Sequence, residues 1–202
     1  MSAASYLPAR LSLRSLRAAA AGCRGCDLYR HATQTVFGEG RAHARFMFVG
    51  EQPGETEDRA GHPFVGPAGR ILHEAIERAG ISAKDTYVTN VVKHFKFVER
   101  GKRRIHSKPK TIEIRACKPW LEAEIEVVRP ALIVALGATA AHVLLGSSFR
   151  LLANRGRVIV KEQQALLATI HPSTILRAPD SATRHAEMEN LVADLRVVRS
   201  MA

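Results

Sequence analysis

Four short, almost continuous apolar runs do most to limit what this chain can fold into: Arg45–Gly50, Thr86–Val92, Ala131–Gly137 and Ala165–His171. Runs of this length suit strands of a parallel sheet covered on both faces. Amphipathic helical patterns separate them. In Arg70–Ala79 the residues Ile71, Leu72, Ala75, Ile76 and Ala79 share one face, and in Thr111–Val128 Ile114, Cys117, Leu121 and Ile125 do the same. A last amphipathic helix is expected over Thr183–Val198, and "RVIV" at Arg157–Val160 reads as a short extra strand. The alternation predicts an α/β fold with a central four-stranded parallel sheet flanked by helices. At 202 residues, 46% of them hydrophobic, and with no internal repeat or linker, residues 1–202 are expected to form one domain.

In an open parallel sheet, ligands bind outside the carboxyl ends of the strands. Three unusual segments follow the expected strands: "GEQPG" (Gly50–Gly54), Asn90 with the basic stretch after it, and "HPS" (His171–Ser173). Their convergence on one cleft is expected. Gly50 and Gly54 around Pro53 permit a tight turn and close approach of backbone N–H groups to a ligand, although such a turn by itself is more often a plain connection. The longer string "GEQPGETEDRAGHPFVGPAGR" (Gly50–Arg70) also carries Glu51, Glu55, Glu57, Asp58, His62 and Phe64, and long ordered loops are usually functional.

Charge narrows the partner. The net charge is +11, and Lys93–Lys110, "KHFKFVERGKRRIHSKPK", holds eight Lys or Arg against one acid. On a folded-type composition such a field suits phosphates, and nucleic acid is the expected partner. No apolar run reaches the ~20 residues that span a bilayer, so no membrane partner is expected. "SYLPARLSLRSLRAAAAG" (Ser5–Gly22) has the Arg-rich, acid-poor look of a transit peptide, but Leu11, Leu13, Leu16 and Ala20 fit an amphipathic helix leading into Cys23. The apolar block of a secretory signal is missing, which predicts a reducing, intracellular location. There, three cysteines argue for a metal site or catalysis rather than disulfides.

Four ordered motifs together resemble the family 4 uracil-DNA glycosylases: the string Gly50–Arg70, "TNVVK" (Thr89–Lys93), "IVALGATA" (Ile133–Ala140) and "HPSTILR" (His171–Arg177). The resemblance runs from about Cys23 to the C-terminal helix. Family 4 members carry a cysteine after "NVVK" and a short connection to the next helix. This chain has His94 there and a longer basic stretch ending in "KRRIH". Both departures, with "GEQPG" as the first motif, resemble the UdgX subgroup, whose members bind an iron–sulfur cluster and become covalently joined to uracil-containing DNA. The resemblance implies the uracil-DNA glycosylase fold, a monomer, and a bacterial cytoplasmic location.

It also implies roles for individual residues. Cys23, Cys26 and Cys117 supply three soft ligands, and His94 takes the fourth position of a [4Fe–4S] cluster; by spacing alone a Cys₃His zinc site is equally open. His106 aligns with the residue that attacks the sugar carbon, although a histidine in a basic loop can also simply lie beside phosphate. Flipping of the uracil would place it against Phe64, with Asn90 on its donor and acceptor edge and Gly50, Gln52, Glu55 and Ser173 around it. His171 would donate to the departing uracil anion, and Glu51 would orient His106. The plainer alternatives are a core role for Phe64, a turn cap for Asn90, and a proline bend at His171. Lys102, Arg103, Arg104 and Arg177 are expected on DNA phosphates, and Ile175 or Leu176 could wedge into the gap left by the base.

Overall fold

The computed structural model describes residues 2–201. Its sheet is built from β1 (Glu39–Gly40), β2 (Phe46–Gly50), β3 (Thr86–Asn90), β6 (Leu132–Leu136), β7 (Val158–Lys161) and β8 (Gln164–Thr169). A separate hairpin pairs β4 (Phe97–Arg100) with β5 (Arg103–His106). The sheet order is β1-β3-β2-β6-β8-β7; the central four strands are parallel, and both edge strands run antiparallel. The expected four-stranded parallel core is therefore present, with an antiparallel strand added at each edge. "RVIV" forms one of these, shifted by a residue.

Every residue of β2 and β6 is buried because helices cover both faces. Side chains alternate between two cores, as the pleat requires. Met47, Val49, Ile133 and Ala135 pack on one face against α1 (Leu13–Ala20), α4 (Thr111–Val128) and α5 (Ala138–Leu145), where Trp120 and Leu121 dominate. Phe46, Phe48, Leu132 and Val134 pack on the other, with Leu72 and Ile76 of α3 (Pro67–Arg78) and Leu191 and Leu195 of α8 (Ser181–Ser200). Short helices α2 (Glu55–Ala60), α6 (Leu151–Asn154) and α7 (Pro172–Leu176) complete the set.

From β2 the chain moves outward to β3, then returns past β2 to β6. The order therefore reverses between β2 and β6, where an open α/β sheet leaves a crevice at its carboxyl end. Gly50 ends β2 and Gly137 follows β6, at the mouth of that crevice.

The basic stretch differs from expectation. It is an ordered hairpin rather than a loop, turned at Gly101 with φ 59. Val98 faces Ile105 and Arg100 faces Arg103 across it. Alternation in the strands puts these two pairs on the outward face, and Phe97, Arg104 and His106 on the inward one.

Candidate active site

A cleft of about 800 Å³ opens at the crevice, lined among others by Glu51, Asn90, His106, Gly137, His171 and Arg177. The three segments after the strands do meet there. Gln52, Glu55, Phe64, Ser173 and Leu176 also line it.

Phe64 and Asn90 are both buried. Phe64 is held at φ 55, a backbone region that costs a bulky residue roughly 1–3 kcal/mol, and its ring lies 6.5 Å from that of His171. Gly50 makes room for the pair. A Cβ there would collide with Asn90 Oδ1 and lie 2.8 Å from Phe64 Cζ. Asn90 is steadied from behind by the fully buried Lys93, whose ammonium donates to the Asn90 carbonyl at 2.7 Å and to Thr89 Oγ1 at 2.6 Å and pairs with Glu124. Glu124 in turn accepts from Tyr87, Thr89 and the Gly38 N–H.

His171 caps α7. Its Nδ1 lies 3.1 Å from the Ser173 N–H and 2.8 Å from Ser173 Oγ, which itself accepts from Arg177. An N–H directed at Nδ1 makes that atom an acceptor, so the ring proton sits on Nε2. Burial, with help from the Arg177 and His106 charges, pushes the His171 pKa down to about 4, so the ring is neutral near pH 7.

His106 ends the hairpin with 51% of its side chain exposed, its Nε2 3.4 Å from Glu51 Oε1. The other Glu51 oxygen accepts from Thr139. Burial lowers the His106 pKa below the ordinary 6.5, Glu51 raises it, and Arg177 lowers it again. The neutral ring, with a free lone pair, is thus favoured. The hairpin is hung from Gln52, whose amide donates to Lys96 O and Ser107 O and accepts from Lys96 N, each at 3.1 Å. The sequence reading placed Gln52 only around the base; its side chain fixes the segments on either side of the hairpin that ends in His106.

Arg104 departs from the expectation of a phosphate contact. It faces inward with 15% of its side chain exposed, 2.8 Å from Asp58 and 3.4 Å from Glu55, and lies over the Phe97 and Phe95 rings. Its charge is already matched by acids that fold α2 against the hairpin. Glu55 likewise spends its carboxylate on Arg59 and Arg104, which lowers its pKa, rather than pointing free into the cleft. Lys102, Arg103 and Arg100 remain exposed. Of the two apolar candidates in α7, Ile175 is buried and Leu176 is exposed at the cleft.

The cysteines gather in the core on the α1 and α4 side of the sheet. Cys23 Sγ accepts from the indole N–H of Trp120 and the Gly25 N–H, and Cys117 Sγ accepts from the Lys93 N–H. Burial pushes the Cys117 thiol up to about 12, with Cys26 and Cys23 close enough to add to it. His94 Nε2 lies 2.9 Å from Thr35 Oγ1. That hydroxyl donates its one proton to the Ala20 carbonyl, so it accepts from Nε2–H and leaves His94 Nδ1 with a lone pair. Burial lowers the His94 pKa to about 4. The donor types fit a cluster, but among the described residues no group of three or more His, Cys, Asp or Glu is arranged to hold a metal ion.

The sequence profile described as the Uracil DNA glycosylase superfamily matches residues 37–196. The chain belongs to that superfamily. A type-4 uracil-DNA glycosylase of Thermotoga maritima is 38% identical over 171 residues, covering 84% of this chain and 85% of the relative. One of Pyrobaculum aerophilum is 36% identical, covering 84% and 87%, and one of Sulfurisphaera tokodaii is 35% identical, covering 84% and 78%. All three carry the type-4 name; the UdgX subgroup is not singled out by these matches. Among the described residues no helix is long and apolar enough to cross a membrane.

Proposed function

We propose that this superfamily member flips uracil out of DNA, breaks its N-glycosidic bond, and captures the sugar on His106. The observation that carries the capture step is the His106–Glu51 pair at the lip of a cleft whose floor holds Phe64, Asn90 and His171. Phe64 stacks on the pyrimidine and Asn90 pairs with its edge. As the C1′–N1 bond breaks, its electron pair leaves with uracil, and the neutral His171 Nε2–H donates to the developing oxyanion. The unprotonated nitrogen of His106 then closes on C1′, and the imidazolium so formed is matched by the Glu51 carboxylate.

A second course, repeated hydrolysis with water in place of His106, is favoured by the type-4 names of the relatives. Both courses use the same pocket. A denaturing gel with uracil-containing oligonucleotide separates them: a shifted band that plateaus near one per protein supports capture, while free uracil in large excess over protein with no shifted band overturns it.

Cys23, Cys26, Cys117 and the free Nδ1 of His94 would hold a [4Fe–4S] cluster. Its chemistry here would be that of a cross-link, tying the segment after α1 to α4 and to the turn after β3. Iron and sulfide in anaerobically purified protein, retained in His94→Cys, support this; stoichiometric zinc without iron would replace it with a Cys₃His site.

A further inference from the structure

A second cleft of about 700 Å³ lies next to the first and shares Gly137, Ala138, His171 and Arg177 with it. Buried Ile170 and half-buried Leu151 line it, together with exposed Arg150, His142 and Leu152. No acid lines it, whereas Glu51, Glu55 and Glu57 line the first. Among the described residues Arg150 has no carboxylate partner, unlike Arg104 and Arg155, which acids hold in place. Leu152 is 77% exposed, an apolar side chain left at the edge of a cationic groove.

A strand with one nucleotide in the first cleft must leave across its rim, and each further nucleotide brings one phosphate and one flat apolar base. A free guanidinium beside exposed leucine complements both. We propose that the second cleft is a nucleotide subsite: it takes the neighbour of the flipped nucleotide, with phosphate on Arg150 and Arg177 and the base or sugar on Leu151 and Leu152. α7 is then the ridge between two consecutive nucleotides. The inference rests on reading the first cleft as the uracil pocket.

Its test uses fluorescein-labelled single-stranded oligonucleotides whose deoxyuridine carries a 2′-fluorine, which disfavours the sugar cation so that neither release nor capture occurs, placed at the 5′ end, at the 3′ end or in the middle, reversible binding being followed by anisotropy across a salt series. Wild-type protein should bind more tightly when flanking nucleotides extend on one particular side. Arg150→Ala should lose that gain, and its log–log salt slope should be shallower by about 0.7, the contribution of one phosphate on a single strand. Arg150→Lys should keep most of both. An unchanged slope and an unchanged flank gain in Arg150→Ala would overturn the subsite. Uracil release, measured with the unmodified oligonucleotides, separates the two levels: its absence from wild type would overturn the uracil pocket, while the anisotropy comparison would still decide the second cleft.

Discussion

The Ser173 N–H aimed at His171 Nδ1 leaves one proton on Nε2, and in the proposed reaction that proton is the one donated to the departing base. Replacing His171 with Ala removes the donor while leaving Phe64 and Asn90, so uracil release should fall by about 10² to 10³. Adduct formation should fall equally in single-turnover assays, because both follow the same bond-breaking step. His106 gives a pH test. Burial favours its neutral form, so capture should persist below pH 6.5 and fail only as the ring protonates at lower pH. Glu51 raises that pKa, so Glu51→Gln should move the acid midpoint of adduct formation further down while slowing capture itself. The position of both histidines at the cleft was legible in the sequence, through the motif after a strand and through the resemblance that "KRRIH" carries. The inward turn of Arg104 was not, because the parity of a hairpin depends on which strand residues pair, and a run of basic residues carries no alternation to show it. The side-chain role of Gln52 was hidden for the same reason: it needs the hairpin to exist.

Between the elements, the turn after β3 is joined to α4 by a buried ion pair. Lys93 and Glu124 are both fully buried, and Lys93 links the Asn90 carbonyl to the backbone N–H that meets Cys117. Glu124→Gln would leave an ammonium buried without its counter-charge, a loss of about 3–5 kcal/mol that urea unfolding would measure. Lys93→Met combined with Glu124→Gln should recover much of that stability, because the Gln carbonyl oxygen can still accept from Tyr87 and the Gly38 N–H while no charge is left unmatched, yet the protein should excise uracil more slowly, because the Asn90 carbonyl has lost its donor. The central strands and α4 were readable because burial on both faces makes strands continuously apolar, while one-sided helices keep their period. The two-residue β1 has too few residues to show any period. Short α2 and α7 are set by tertiary contacts, including the Glu57 carboxylate that accepts from the Gly54 and Gly66 N–H groups.

For the molecule as a whole, the +11 charge becomes directional once the hairpin sorts its cations. Arg100 and Arg103 point out and Arg104 points in, so the double change Arg100→Ala with Arg103→Ala should flatten the log–log salt slope of duplex binding by about 1.8, two phosphates' worth. Arg104→Ala should instead lower the thermal stability of the hairpin and α2, where it sits between Asp58 and stacked rings. The central claim is that uracil removal ends in a bond from C1′ to His106. Peptide mapping by mass spectrometry, after wild-type and His106→Ser proteins have each reacted with uracil-containing DNA, tests it most directly. The account predicts a sugar-bearing peptide attached at His106 in the wild type, and no adduct with repeated uracil release in His106→Ser. An adduct on another residue, an undiminished adduct in His106→Ser, or uracil release by wild type far beyond one per protein with no adduct would contradict it.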